Sequence, residues 1–209
     1  MKLCKSLLIA IIVLLNLVIV SPAWADRPRL TETPDYVAVT QAIQDLLQAK
    51  TAPDLAGYKP EELQQKLGDL QLQKYILETA RGWAQCRNQT GKTLAVYAHK
   101  GKKANQASTL YYLGNGQITE NEWNCDGVYL PAGTRVLGLT TNEQGLAAPV
   151  AFKIVSGTQL VASVNPENSV VEFNVNPAQI LNDGEGGWAV PVLTQADIDA
   201  EIPNAPIED

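Results

Sequence analysis

The side chains with the most defined chemistry are three cysteines, Cys4, Cys86 and Cys125, and a single histidine, His99. The cysteines could form a disulfide, bind zinc or supply a thiol nucleophile. A zinc site needs about four nitrogen or sulfur ligands, and one histidine with scattered cysteines does not form such a set. The sequence therefore predicts no metal and no cofactor. The choice between a disulfide and a reduced thiol depends on the compartment.

The first 25 residues have the three-part layout of a secretory signal peptide. A start with two lysines precedes the apolar run 7–20, and the small residues Ala23 and Ala25 form a cleavage site. The run is shorter than the roughly 20 residues of a membrane-spanning helix, so an uncleaved anchor is the weaker alternative. The sequence predicts an exported protein of a periplasm, another lumen or the extracellular space, with no stable membrane anchor after cleavage.

Export determines what the cysteines do. Cys4 leaves with the signal, and an oxidising compartment favours a disulfide between the remaining pair, Cys86 and Cys125. The signal also carries two lysines, so the rest of the chain is more acidic than the formal net charge of −6 for the whole sequence. Binding to nucleic acid needs clustered cations. We therefore expect no nucleic-acid partner.

One basic cluster interrupts this acidic chain. It consists of His99, Lys100, Lys102 and Lys103, in a loop that contains Gly101. Such a cluster could dock an anionic ligand or an acidic partner. The alternative, which is typical of charge runs, is a solvated hairpin loop whose lysines protect a sheet edge. The cluster is the first candidate for a ligand or partner surface.

Aromatic side chains form the second candidate surface: Tyr111, Tyr112, Trp123 and Tyr129. On one exposed face of a sheet they could stack on sugar rings or contact a partner protein. If buried, they would be the large residues of a β core. Adjacent residues of a strand point to opposite faces, so Tyr111 and Tyr112 cannot both face the same core.

Acidic residues offer weaker chemistry. On a strand, Glu120 and Glu122 would lie about 7 Å apart on one face, whereas the acid and base of a glycosidase must flank the scissile bond. The loop 182–187 offers oxygen ligands without the spacing of a calcium loop, and 88–90 is a formal glycosylation acceptor. The sequence contains no nucleophile elbow, phosphate loop or dinucleotide fingerprint. No catalytic residue is predicted, and a non-enzymatic role is favoured.

Two helices and many short strands must position these residues. Apolar residues recur at three- and four-residue steps over 34–50 and 60–81, which predicts an antiparallel helical hairpin. From Trp83 onward, short alternating or β-branched runs between turn residues predict strands. The predicted strands are 84–86, 93–99, 109–113, 117–124, 135–139, 148–155, 159–164, 170–175 and 187–190. A capping box at Thr194 and Asp197 begins a short helix, 195–202, before an acidic tail that we expect to be mobile.

These elements predict an α+β fold, with the N-terminal helical hairpin packed on or beside a mostly antiparallel β-sandwich or barrel. The predicted organisation is a signal peptide at 1–25, a leader and two helices at 26–82, a β domain at 83–192, and a short helix with the acidic tail at 193–209.

The predicted function is that of a non-enzymatic binding or accessory protein that associates with another protein of the envelope or lumen. One alternative is a carbohydrate-binding module, which needs at least two coplanar exposed aromatic rings. A second is a hydrolase, which needs carboxylates that converge from different strands into a cleft. A purely structural role would need neither.

Overall fold

The computed structural model describes residues 28–52, 57–101, 107–140 and 144–208. The predicted signal peptide at 1–25 and two residues of the basic cluster, Lys102 and Lys103, lie outside the described residues. Among the described helices, none is long and apolar enough to cross a membrane.

The N-terminal part of the described chain is the predicted helical hairpin. Helix α1 spans Pro34–Thr51 and helix α2 spans Pro60–Thr79. Each begins with a proline, whose fixed φ suits the first helical position, and Thr33 caps α1 by accepting the N–H of Tyr36. The Tyr36 hydroxyl donates to Glu78 at 2.9 Å, so the start of α1 lies beside the end of α2. The helices are therefore antiparallel, as predicted.

Eight strands follow in the described chain. They are β1 Gln85–Gln89, β2 Leu94–Lys100, β3 Thr109–Leu113, β4 Trp123–Leu130, β5 Val150–Lys153, β6 Gln159–Asn165, β7 Val170–Phe173 and β8 Gln179–Leu181. A five-stranded antiparallel sheet has the order β3-β2-β4-β5-β8. A three-stranded sheet has the order β1-β6-β7, in which β1 and β6 are parallel. The predicted α+β class with mostly antiparallel sheets is confirmed, and the sheets do not close into a barrel.

The main core lies between the two sheets. Val96 and Phe152 of the five-stranded sheet pack in one cluster with Leu160 of the three-stranded sheet, and each is at most 1% exposed. A second core covers the opposite face of the five-stranded sheet, where Tyr97 packs with Ile198 of the short helix α3, Gln195–Ala200. Both faces of this sheet are therefore buried, and for this reason β2 is apolar along most of its length.

The disulfide joins the two sheets. Cys86 lies on β1 and Cys125 on β4, with their Cα atoms 5.9 Å apart and both residues fully buried. The predicted pairing is confirmed. This covalent link adds to the side-chain packing between the sheets and to hydrogen bonds such as that from the Cys125 N–H to the Ala84 carbonyl.

The hairpin packs beside the sandwich, against the turn between β5 and β6. Val155 of this turn packs with Val39 and Leu77 of the helices. Gly157 has φ +86°, and a Cβ at this position would lie 2.5 Å from the Cβ of Ala80. Only glycine allows this turn to approach the helices so closely.

Several predicted strands differ from those observed. Residues 135–139 form a turn with one bridge at Val136. Gly187 belongs to the 3₁₀ turn Glu185–Gly187, and the following residues 188–190 form no strand. Of the predicted strand 117–124, Trp123 and Asn124 begin β4. The earlier residues form isolated bridges at Ile118 and Thr119, because the chain leaves β3 and crosses to β1 of the other sheet. Alternation alone does not indicate when a chain changes sheets.

The acidic tail, which the sequence predicts to be mobile, is hydrogen-bonded to the sandwich. Backbone N–H groups of Asn204 and Ala205 donate to the carbonyl of Tyr112, and Glu208 donates to Ile118. The side chain of Gln85 also donates to the Glu208 carboxylate at 2.7 Å. These backbone hydrogen bonds attach the tail to the sandwich as far as residue 208.

Candidate functional site

A polar cluster centred on Asp126 lies at the end of the five-stranded sheet. Asp126 is an extra residue on β4, since Tyr97 of β2 pairs with Gly127 while its neighbour Ala98 pairs with Cys125. Such a β-bulge re-aims a side chain relative to the regular pleat. One Asp126 carboxylate oxygen accepts hydrogen bonds from His99 Nδ1 and Ser108 Oγ, both at 2.6 Å.

The second Asp126 oxygen accepts from the Asn124 amide at 2.7 Å. Asn124 in turn accepts the backbone N–H of Ala84 and contacts Ser156 Oγ at 3.1 Å. The Asp126 hydrogen bond raises the pKa of His99 above its ordinary value, with burial acting in the opposite direction. The cluster therefore links β2 and β4 to Ser108, the residue before β3. Neither His99 nor Asp126 lines the two clefts between the hairpin and the sandwich.

The basic cluster is thus partly engaged with carboxylates. His99 pairs with Asp126, with both side chains 13% exposed, and Lys100 lies 3.7 Å from Glu122. For Lys102 and Lys103, outside the described residues, docking of an anionic partner stays a prediction.

The four aromatic residues do not form one surface. Tyr111 packs on the main core and Tyr112 on the second core, so the prediction that they point to opposite faces is confirmed. Trp123 meets Tyr111 edge-on, with ring centroids 5.6 Å apart and planes at 82°. The prediction of Tyr129 as a surface residue is wrong: it is 1% exposed, and its hydroxyl lies within hydrogen-bond distance of the carbonyls of Pro191 and Leu193. This Tyr111–Trp123 pair does not supply two coplanar rings for a sugar.

The acidic candidates serve local structure. Glu120 and Glu122 lie in the turn before β4 instead of on a strand. In the loop 182–187, Glu185 accepts the N–H of Asn182 and Asp183 accepts the N–H of Val190. Within the described residues, no group of three or more His, Cys, Asp or Glu side chains could hold a metal ion.

The formal glycosylation acceptor Asn88 is fully buried. Its side-chain amide donates to the carbonyls of Lys92 and Leu113, both at 2.8 Å, and its oxygen accepts from Thr90. In the folded protein this nitrogen is inaccessible to a glycan transferase.

The main candidate site is a groove between the hairpin and the sandwich, which we call the seam. Its first part is a cleft of about 500 Å³ between α1, α2 and β8. Leu46, Leu70 and Ile180 contribute apolar surface to this cleft, and Asp45 and Asp69 contribute carboxylates. The one lysine on it, Lys66, is already paired with Glu62 at 3.2 Å.

The second part of the seam lies beyond a bridge in which Asn176 donates to Asp69 at 2.9 Å. It is a cleft of about 320 Å³ lined by Leu137, Leu139 and Phe173. Leu137 is 66% exposed and Leu139 is 37% exposed, although both are apolar. The seam thus combines open apolar surface with a net acidic rim.

The chain matches no protein-family model, and searches of curated proteins and of solved structures found no match. The function of this protein is therefore inferred from the geometry of the chain itself.

Sequence reasoning did not find the seam or the Asp126 cluster. Asp126 interrupts the alternation of polar and apolar residues along β4, and such an interruption is a weak signal for a β-bulge. The seam has no local signal, because its walls come from α1, α2, the turn 137–139 and β8, which are distant in the sequence.

Proposed function

We propose that this protein is an exported, non-enzymatic binding protein that associates with another protein of the envelope or lumen through the seam. The observation that carries the proposal is the pair Leu137 and Leu139, exposed beside the cleft that Phe173 lines. Leu72 of α2, 48% exposed, lines an adjoining pocket that shares Asp69 and Asn176 with this cleft. Contiguous exposed apolar surface of this kind is typical of protein interaction sites.

The chemistry of the seam favours a protein over a sugar or a reacting substrate. Its apolar side chains are mainly aliphatic, whereas sugars are bound by stacking on coplanar aromatic rings. Asp45 and Asp69 lie on helices with amide partners, Gln41 and Asn176. No histidine, cysteine, serine or threonine accompanies them among the described residues that line the cleft.

The export part of the proposal is supported by two independent features. The N-terminal 25 residues have the layout of a signal peptide, and Cys86 and Cys125 form a buried disulfide of the kind that persists in oxidising compartments.

Site-specific photocrosslinking in the native host tests the proposal. A photoreactive amino acid at position 137 should give a crosslink to one partner protein, and the same amino acid at position 202 should not. Ile202 is the matched control because it is apolar and 82% exposed but does not line the seam. Equal crosslinking from both positions, or none from position 137, would overturn the proposal.

A further inference from the structure

The edges of the two sheets differ in how the described chain covers them. The edge strand β3 is covered by the tail, whose Asn204 and Ala205 donate to Tyr112. The edge of β1 is covered by residues 117–119, and the edge of β7 by residues 135–137. The fourth edge, β8, has no further strand beside it among the described residues. It borders the 500 Å³ cleft of the seam.

On the side that faces the cleft, the backbone of β8 presents groups that could hydrogen-bond to another strand. The backbone N–H of Ile154, the residue after β5, donates to the carbonyl of Asp126 on β4. The even-numbered residues of β5 therefore form their backbone hydrogen bonds with β4. In an antiparallel ladder the bonding direction alternates along the strand, so Ala151 and Lys153 bond to β8. Their partners are Leu181 and Gln179. The N–H and C=O of the intervening Ile180 therefore point away from β5, on the side of the open edge.

The side chains around this edge define what could bind beside it. Leu46 and Leu70 provide apolar surface from the two helices, next to Ile180. Asp45 and Asp69 keep carboxylates on the rim, since their hydrogen-bond partners Gln41 and Asn176 are neutral amides. Because Lys66 is paired with Glu62, the rim favours a cationic side chain on the bound molecule.

We infer that the cleft binds an extended peptide segment of a partner protein as an additional strand on the edge of β8. An apolar side chain of the segment contacts Leu46 and Leu70, and a lysine or arginine lies beside Asp45 and Asp69. Main-chain hydrogen bonds to Ile180 supply sequence-independent affinity, and the side-chain contacts supply selectivity. This inference rests on the proposed function and specifies its mode of recognition.

Two variants at one position test the main-chain contact. Ile180→Pro removes the outward N–H without removing a bond to β5, and proline is tolerated where an edge N–H faces outward. Ile180→Val keeps the N–H and a β-branched side chain, so it is the matched control. Thermal melting of both full-length exported proteins establishes that they fold.

The probe is a phage-displayed library of random linear heptapeptides, selected on the wild-type protein. We expect enriched peptides to combine alternating apolar residues with a lysine or arginine. The synthetic form of the best peptide should bind Ile180→Pro at least about ten-fold more weakly than Ile180→Val. N-methylation of one central peptide amide should weaken binding to the wild type by a similar factor, which tests backbone pairing without altering the protein. Asp45→Asn should weaken the same peptide by several-fold, and added salt should reduce that difference.

The inference would be overturned if no peptide is enriched on the wild type, or if the best peptide binds Ile180→Pro and Ile180→Val with equal affinity. It would also be overturned if the wild type dimerises and Ile180→Pro abolishes the dimer, because the strand added to β8 would then come from a second copy of this chain. If the crosslink from position 137 persists in Ile180→Pro at wild-type yield, the proposed function stands and strand addition fails. If position 137 gives no crosslink while the peptide tests succeed, the proposed association through Leu137 and Leu139 fails, and strand addition on β8 stands as a property of the cleft alone.

Discussion

His99 Nδ1 lies 2.6 Å from the carboxylate of Asp126, which a β-bulge directs toward it from the neighbouring strand. Ser108, the residue before β3, donates to the same oxygen, so β2, β4 and the start of β3 are linked through one carboxylate. The interaction is mostly shielded from water, with both side chains 13% exposed. It contributes to stability in a pH-dependent way, because only one protonation state of His99 is charged.

The stability that His99 contributes should decrease as the pH rises. Its pKa is raised in the folded protein, mainly by the hydrogen bond to Asp126. Because the pKa of His99 is higher in the folded protein than in the unfolded chain, protonated His99 stabilises the fold. This stabilisation is complete below the pKa of the unfolded chain, about 6.5, and is lost as the pH rises through the pKa of the folded protein. The difference in free energy of unfolding between wild type and His99→Gln should therefore shrink from pH 6 to pH 9. Urea unfolding at each pH measures it, and Ser108→Ala, which keeps the pair, should retain the wild-type trend. A difference independent of pH would contradict the prediction.

Asp126→Asn should lower the free energy of unfolding by about 1.5–3 kcal/mol, the usual range for a hydrogen bond that involves a charged group. The matched control is Glu122→Gln, which alters the exposed contact with Lys100 at 3.7 Å. Exposed ion pairs contribute little, so the control should change stability by less than about 1 kcal/mol. Chemical denaturation compares the two, and equal losses would show that burial of Asp126 has no energetic effect.

Replacing both disulfide cysteines, Cys86→Ala with Cys125→Ala, should lower the free energy of unfolding by about 4 kcal/mol. The pair closes a loop with a sequence separation of 39 residues, and its loss increases the conformational entropy of the unfolded chain. Reduction of the wild type should produce a loss of similar size. Mass spectrometry of native protein provides the direct check, since two free thiols would be incompatible with the disulfide.

Gly157→Ala should destabilise the protein more than Gly91→Ala. Both glycines have positive φ, +86° and +80°, so both alanines experience the backbone strain, of order 1–3 kcal/mol. Only at position 157 would the new Cβ collide with Ala80 and Leu30, while nothing lies within 4 Å at position 91. The difference between the two melting temperatures reports the packing of the hairpin on the sandwich. Equal melting temperatures would indicate that this contact is loose in solution.

Expression of the full-length gene with its native start should yield a protein whose first residue is Asp26. The small residues Ala23 and Ala25 fit the cleavage site of a signal peptidase. Intact-mass measurement detects the processed product, and Ala25→Arg should block processing. Recovery of the complete chain, Met1 included, from the wild-type gene would contradict the prediction.

The sequence predicted best what neighbouring residues decide. The start of α1 follows from Thr33, which accepts a backbone N–H of the first turn, and from Pro34, whose φ is fixed at a helical value. The capping box at Thr194 and Asp197 begins α3 as expected. The strand Thr109–Leu113 was predicted with its observed bounds. The disulfide was predicted from cysteine number and compartment, which require no knowledge of the fold.

Tertiary structure decided which residues meet across long distances. The parallel pairing of β1 with β6, the crossing from β3 to the other sheet, and the burial of Tyr129 beneath Pro191 and Leu193 all depend on contacts between remote segments. Capping and periodicity act over a few residues and contain no information about the partner of a strand. The sequence by itself therefore determined the two helices of the hairpin, the fold class and the cysteine pair. The three-dimensional packing decided that Asp126 would hold His99 and that β8 would border an open cleft.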